Sequence, residues 1–237
     1  YLTGTYNLFF IFKLMALYKV LGTIEGITPI QLQNPMYQHP SEPLYKIRTP
    51  ISQKRKKTEE DHITLSKLDF LMSCHWAVDS TDDCDCTVDT NGNVSFTGFK
   101  DPYMPAEMLR KSIRNSAKAL NNRKGAAFDR GVTVSEDMLL NYDGAKDCNG
   151  MWNDKFWVRL RGERSGSLIW ITRVKIPQWS VNFSLTCDTS QVEISELETM
   201  LKASGKYSGV GSYRPENGGN AGKFEVTEFE YEEIPLV

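Results

Sequence analysis

No stretch of this sequence offers the roughly 20 consecutive apolar residues that a bilayer crossing needs. The apolar run Leu8-Phe9-Phe10-Ile11-Phe12 is broken by Lys13, no basic region precedes it, and no small-residue cleavage site follows. It therefore reads neither as a span nor as a signal peptide, and no membrane partner is expected. Excess charge is missing as well: 28 Lys and Arg against 30 Asp and Glu leave a formal charge of -2. No global field draws the molecule to a polyanion, so such a partner has to be met by a local patch. Cysteine is scarce, five in 237 residues, and odd in number. A chain of this size builds a core without staples, so free thiols in a reducing, cytoplasmic compartment are expected. No fixed-period repeat and no linker divides the chain. With 40% hydrophobic and 24% charged residues, a disordered acidic chain, a collagen-like repeat and a disulfide miniprotein are all excluded.

What is present begins at Met15, which reads as a natural start, with residues 1–14 an upstream extension or a segment that docks on a partner subunit. Residues 15–237 then read as one domain. Tyr18 to Ile27 is rich in aliphatic and β-branched residues and stops at Thr28-Pro29, so it predicts the first strand. Four prolines between Gln31 and Gln53 predict a long loop, and residues 31–57 as a whole read as an insertion. Thr58-x-x-Asp61 predicts a capped helix from about 59 to 75. Asn91-Gly92 predicts a hairpin between two short strands. Met104, Met108, Ile113, Ala117 and Leu120 form the apolar stripe of a helix that Pro105 opens.

A second insertion, 121–167, reads as irregular at 121–131 and 143–154. Leu168 to Lys175 and Trp179 to Cys187 alternate as two half-buried strands joined at Pro177. Ser195-x-x-Glu198 opens another helix, Gly205 ends it, and a glycine-rich loop leads to a last strand at Phe224 to Val226 and an acidic tail. This order predicts an α+β fold: a ferredoxin-like (RRM-like) antiparallel sheet with helices on one face, enlarged by insertions.

One basic cluster stands out. From Arg110 to Arg130 the chain carries Arg110, Lys111, Arg114, Lys118, Arg123, Lys124 and Arg130 against one acid, Asp129. Arg110, Arg114 and Lys118 recur every four residues and share a helix face, which suits a row of phosphates. The same pattern also serves as the solvated side of an amphipathic helix. Lys46 to Lys57 adds six cations and no acid. Downstream, Gly209 and Gly211 leave backbone N–H groups open to approach, Tyr213 offers a ring for a base, Arg214 a fork for phosphate, and Lys223 follows. The glycines lie between a helix and a strand, the reverse of a Rossmann or P-loop order. Other chemistry is thinner: His39 is a possible general base, Asp82, Asp83 and Asp85 possible ligands for a divalent metal, and Cys74-His75 with Cys84-x-Cys86 possible zinc ligands. No cofactor is predicted. An exposed member of the set Trp152, Trp157, Trp170, Trp179 and Tyr142 would be a base-stacking platform; buried, each is core.

Gly209-x-Gly211 through Gly222-x-Phe224, placed before the C-terminal strand, is similar to the glycine-rich loop of the RAMP superfamily, the ferredoxin-like RNA-binding proteins of CRISPR systems. Asp101-Pro102-Tyr103-Met104-Pro105 resembles that family's lead into a basic helix. Ile24-Glu25-Gly26-Ile27-Thr28-Pro29-Ile30 and Gly211-Ser212-Tyr213-Arg214-Pro215 resemble phage-encoded relatives of its backbone-forming branch. The resemblance implies a cytoplasmic protein, in the host cytoplasm where phage-encoded. It also implies that repeated subunits, a homo-oligomer, coat single-stranded nucleic acid, with RNA expected before DNA. The alternatives are a nuclease on the same scaffold, using His39 or the aspartates, and a protein-binding module whose contact is the acidic tail Glu225 to Glu233. On the first of these, Arg110→Ala combined with Arg114→Ala weakens single-strand binding across all sequences and flattens its salt dependence while the fold persists, as a filter-binding salt series checks.

Overall fold

Alternation builds the central sheet. In the computed structural model, which describes residues 16–78, 84–89, 93–120, 124–164 and 167–235, β1 (Leu17–Gly26) buries Val20 and Ile24 and leaves Lys19, Leu21 and Glu25 exposed. After the short β2 (Ile30–Gln31), two helices follow, α1 (Pro43–Gln53) and α2 (Glu59–Ser73), and then β3 (Trp76–Ala77), β4 (Asp85–Val88), β5 (Val94–Thr97) and β6 (Lys100–Met104). The middle of the chain holds α3 (Ala106–Ala119), α4 (Gly125–Gly131), β7 (Val132–Val134), β8 (Met138–Leu139) and α5 (Cys148–Asn153). The rest is β9 (Trp157–Arg164), β10 (Ser167–Ile176), β11 (Ser180–Asp188), α6 (Ile194–Ala203) and β12 (Phe224–Ile234). The fold is mixed α+β with antiparallel sheets, as the order of sequence signals predicts.

Four strands lie in the order β12-β1-β11-β7, every neighbour antiparallel. On one face Val20, Ile24, Val181, Phe183, Leu185 and Cys187 are buried, in one core with Leu109 and Ile113 of α3 and Leu197 and Leu201 of α6. Each fully buried side chain of this size contributes about 1.5–3 kcal/mol. The other face is polar: Thr23, Leu21 and Lys19 lie opposite Glu228, Glu230 and Glu232 of β12 on one side and Asn182, Ser184 and Thr186 of β11 on the other. Period 2 forces this division, because residues opposite one another in the register share a face. A second sheet, β2-β10-β9, carries α2 on its side, where Ser73 Oγ accepts the Val174 N–H at 2.8 Å.

The Thr58 cap is reciprocal: Thr58 Oγ1 accepts from the Asp61 N–H at 3.2 Å and an Asp61 carboxylate oxygen accepts from the Thr58 N–H at 3.0 Å. The helix it opens ends at Ser73, close to the predicted limit. The β4–β5 pair flanks the predicted Asn91-Gly92 turn, which lies outside the described residues.

Several local expectations are corrected. The proline-rich stretch is not all loop: Pro43 opens α1 at a position that needs no N–H, and Pro50 lies inside it. One lost donor does not end a helix whose Leu44 is buried and whose Arg48 is tied to Asp69 of α2. Residues 121–131 contain α4, anchored by buried Phe128, and residues 143–154 contain α5, where the Asp147 side chain caps Gly150 N–H at 2.9 Å. β10 and β11 follow each other at Pro177 but belong to different sheets. The acidic tail is strand: β12 runs 11 residues because β1 offers a partner along its full length.

Gly22 in β1 lies opposite Phe183, whose ring occupies the space a side chain would take. An added Cβ would meet Phe183 Cζ at 2.5 Å and the Glu228 carbonyl oxygen at 2.3 Å. Gly22→Ala is therefore expected to destabilise the protein by about 1–3 kcal/mol, read as a lower urea midpoint with an unchanged slope.

Candidate nucleic-acid interface

The basic helix and the glycine segment meet. Ser112 Oγ donates to the Gly209 carbonyl at 2.9 Å, and the Gly211 N–H points at Met108 Sδ at 3.1 Å. The glycines serve this packing. Gly209, Gly211 and Gly222 have φ of 70°, 78° and 65°, and a Cβ on Gly222 would lie 1.8 Å from the Val210 carbonyl oxygen. The Val210 and Ala221 N–H groups close the segment on itself, through Gly222 and Tyr213 carbonyls at 2.9 Å each. Its donors are spent inside the protein. Arg214 is held by Glu216 at 2.9 Å and by the Gly211 carbonyl at 3.0 Å. Lys223 is half-buried, its N–H bonded to Thr28 Oγ1 at 2.9 Å, whereas Tyr213 is exposed at φ 55°.

The ridge on α3 is largely compensated. Arg110 pairs with Glu107 at 2.7 Å and Asp129 at 3.3 Å, Arg114 with Asp129 at 2.9 Å, Lys111 with Glu107 at 3.5 Å, and Lys124 with Glu196 at 2.9 Å. Three carboxylates thus stand among four cations. Glu196 arrives from a helix 72 positions along the chain. Arg123 and the Lys118 side chain lie outside the described residues.

A second surface carries the same excess of one cation over its acids. Helices α1 and α2 and the β9–β10 ribbon enclose a groove of about 920 Å³. Arg48, Lys57 and Arg159 line it as cations, with Glu59 and Asp69 as acids. Trp170 forms part of its wall at 61% exposure, with Leu168 and Ile63 also exposed. In the β9–β10 register Trp170 lies opposite Arg161, and Arg159 lies over the Trp157 ring at 5.6 Å. None of the lining residues comes from α3 or the glycine segment. Of the aromatic set, Trp170 alone is exposed. Trp179 is buried and donates to the Thr28 carbonyl at 2.9 Å, Trp152 stacks on Trp157 with centroids 5.2 Å apart, and Tyr142 bonds the Ala145 carbonyl at 2.6 Å. The signals for this groove were in the sequence, as Arg48 and Lys57 of the basic stretch and Arg159 further on, but only folding brings them to one trough.

His39 is exposed, and its Nδ1 accepts from the Ser41 N–H at 3.3 Å and contacts Ser41 Oγ at 2.6 Å. Asp85 lies in β4 opposite Thr97, and Asp82 and Asp83 lie outside the described residues. Among the described residues no three His, Cys, Asp or Glu side chains gather as a metal site. All five cysteines are free. Burial pushes Cys86 up to about 12 and Cys187 up to about 11, and raises Cys74 and Cys148, which disfavours their thiolate forms at neutral pH. Among the described residues no helix is long and apolar enough to cross a membrane.

No protein-family model matches the chain, and no curated protein matches it.

The hydrogen bond from Arg110 holds the Glu107 carboxyl below the usual carboxylate value of 4.5. With the folded value depressed, the native state binds fewer protons than the unfolded chain, so this contribution is present above that value and is lost as pH falls through the folded one. Glu107→Gln is accordingly expected to flatten the acid limb of the melting temperature plotted against pH.

Proposed function

We propose that the protein binds single-stranded nucleic acid, RNA before DNA, along the groove between the α1–α2 pair and the β9–β10 ribbon. The observation that carries this is the exposure of Trp170 on the wall of a cation-lined trough. An indole in water is a platform on which any base stacks, and the surrounding guanidinium and ammonium groups take the phosphates that follow. Such a surface grips backbone and ring faces, so sequence preference is small.

The topology supports the finer, ferredoxin-like reading. The strands and crossover helices of the central sheet come in the order β1, α3, β7, β11, α6, β12, a β-α-β-β-α-β series. β2–β6 are one insertion and β8–β10 another. The glycine segment lies between the last helix and the last strand of that series, where the resemblance to RAMP proteins puts it. The open face of the sheet is a poor bed for a polyanion, because Glu228, Glu230 and Glu232 line its β12 side. The α3 ridge, with its acids in place, is a secondary contact; assembly of subunits along the strand is part of the same proposal.

Trp170→Ala is expected to weaken binding of a labelled single strand of about 30 nucleotides by about tenfold, the scale of one lost stacking contact. Arg159→Ala is expected to lower the salt slope by about one. Equal affinity and slope in both variants, measured by fluorescence anisotropy, would remove the groove from the interface. Size exclusion with light scattering, with and without that strand, reads the assembly.

A further inference from the structure

Beside the groove, and sharing Tyr45, Arg48, Asp69, Ile169 and Ile171 with it, is a smaller cavity of about 380 Å³. Its size falls within the range of small-ligand sites, about 300–1000 Å³. Two guanidinium groups and one carboxylate line it. Arg48 Nε donates to Asp69 at 2.6 Å, which leaves the two terminal nitrogens of Arg48 without a partner among the described residues. The Arg173 side chain makes neither hydrogen bond nor ion pair among the described residues, although it interacts electrostatically with Asp69. Both arginines therefore gather around one carboxylate, and the cavity keeps a positive excess.

Its electrostatics point the same way. Burial lowers the pKa of Arg173 from the ordinary arginine value, and it raises Asp69 in spite of the Arg48 hydrogen bond. Both groups are short of water. A desolvated guanidinium without an anion is costly, and an incoming anion that forks onto it removes that cost. The rest of the lining suits the remainder of a nucleotide: the amides of Gln33 and Gln38 donate and accept, and Tyr45 adds a ring.

We propose that this cavity takes one phosphate-bearing nucleotide, its phosphate forked by Arg48 and Arg173 and its base or sugar met by Gln33, Gln38 and Tyr45. The nucleotide is either free or the phosphorylated end of a strand lying in the adjoining groove; only the second form rests on the single-strand reading.

The test is calorimetric titration of the whole chain with the four nucleoside monophosphates, the matching nucleosides, and short single strands ending in a 5′-phosphate or a 5′-hydroxyl. At least one monophosphate is expected to bind about tenfold tighter than its nucleoside, the worth of a charge-assisted contact, and Arg173→Gln to abolish that difference. Trp170→Ala, in the groove, leaves it intact. A 5′-phosphate that tightens strand binding in the wild type but not in Arg173→Gln assigns the cavity to strand ends. Preference for free monophosphates with no such gain assigns it to free nucleotides. The proposal is overturned if phosphate makes no difference in either form in the wild type, a result that needs no variant to fold. A hydroxyl-ended strand that still binds then leaves the groove standing alone. Monophosphate binding with no strand binding does the opposite.

Discussion

The strand β1 is paired along nearly its whole length on both sides, with β11 at Leu17 to Glu25 and with β12 at Leu17 to Gly26. Its partners come from the last third of the chain, so the first described strand is fixed only when the last has arrived. That constraint sets the rest. It places α6 and α3 over one face, closes the glycine segment between α6 and β12, and puts Gly22 under Phe183, where no larger residue fits. Helices α1 and α2 and the strands β9 and β10 lie outside that sheet, and most of the lining of the groove and the cavity comes from them.

Charge compensation distinguishes the basic surfaces of this nearly neutral protein. On α3 the cations outnumber acids along the chain, but Glu107, Asp129 and Glu196 fold onto them. Exposed pairs of this kind contribute little to stability, roughly 0–1 kcal/mol each, yet they lower the potential that a phosphate encounters. Beside α1 and α2 the direct pairing is thinner: the Arg173 side chain finds no carboxylate in hydrogen-bond contact among the described residues, and Arg48 uses one nitrogen of three on Asp69. Glu107 and Asp129 are near in sequence, but Glu196 and Asp69 reach Lys124 and Arg48 from 72 and 21 positions away, which a sequence count does not show.

Signals that act within one or two turns were legible. The Thr58–Asp61 box and the alternation of β11 are local and appear as the pattern predicts; of the stripe read for α3, Ile113 and Ala117 are buried, whereas Met104 belongs to β6 and Leu120 is exposed. Where the pattern misled, a contact from elsewhere had overridden a propensity. Pro50 is tolerated because α1 is held by Asp69, α4 forms around one buried phenylalanine, and the acidic C-terminal residues are strand because β1 pairs with them. The glycines were legible as a special loop, but their physical role differs from phosphate approach: at Gly222 and Gly209 the close neighbour is the protein's own backbone or a proline ring. Trp170 shows the limit most plainly, since its alternation with Ile169 and Ile171 fits a core strand and a wall of an open trough equally well.

β12 forms the outer border of the central sheet, with no strand beyond it among the described residues. A long bare border of this kind is a template for another chain, which proteins blunt by studding it with like charges. Glu225, Glu228, Glu230, Glu232 and Glu233 do so here. Two copies laid border to border would bring the Glu228, Glu230 and Glu232 row of one beside that of the other. Growth of a continuous sheet from molecule to molecule is thereby disfavoured at neutral pH.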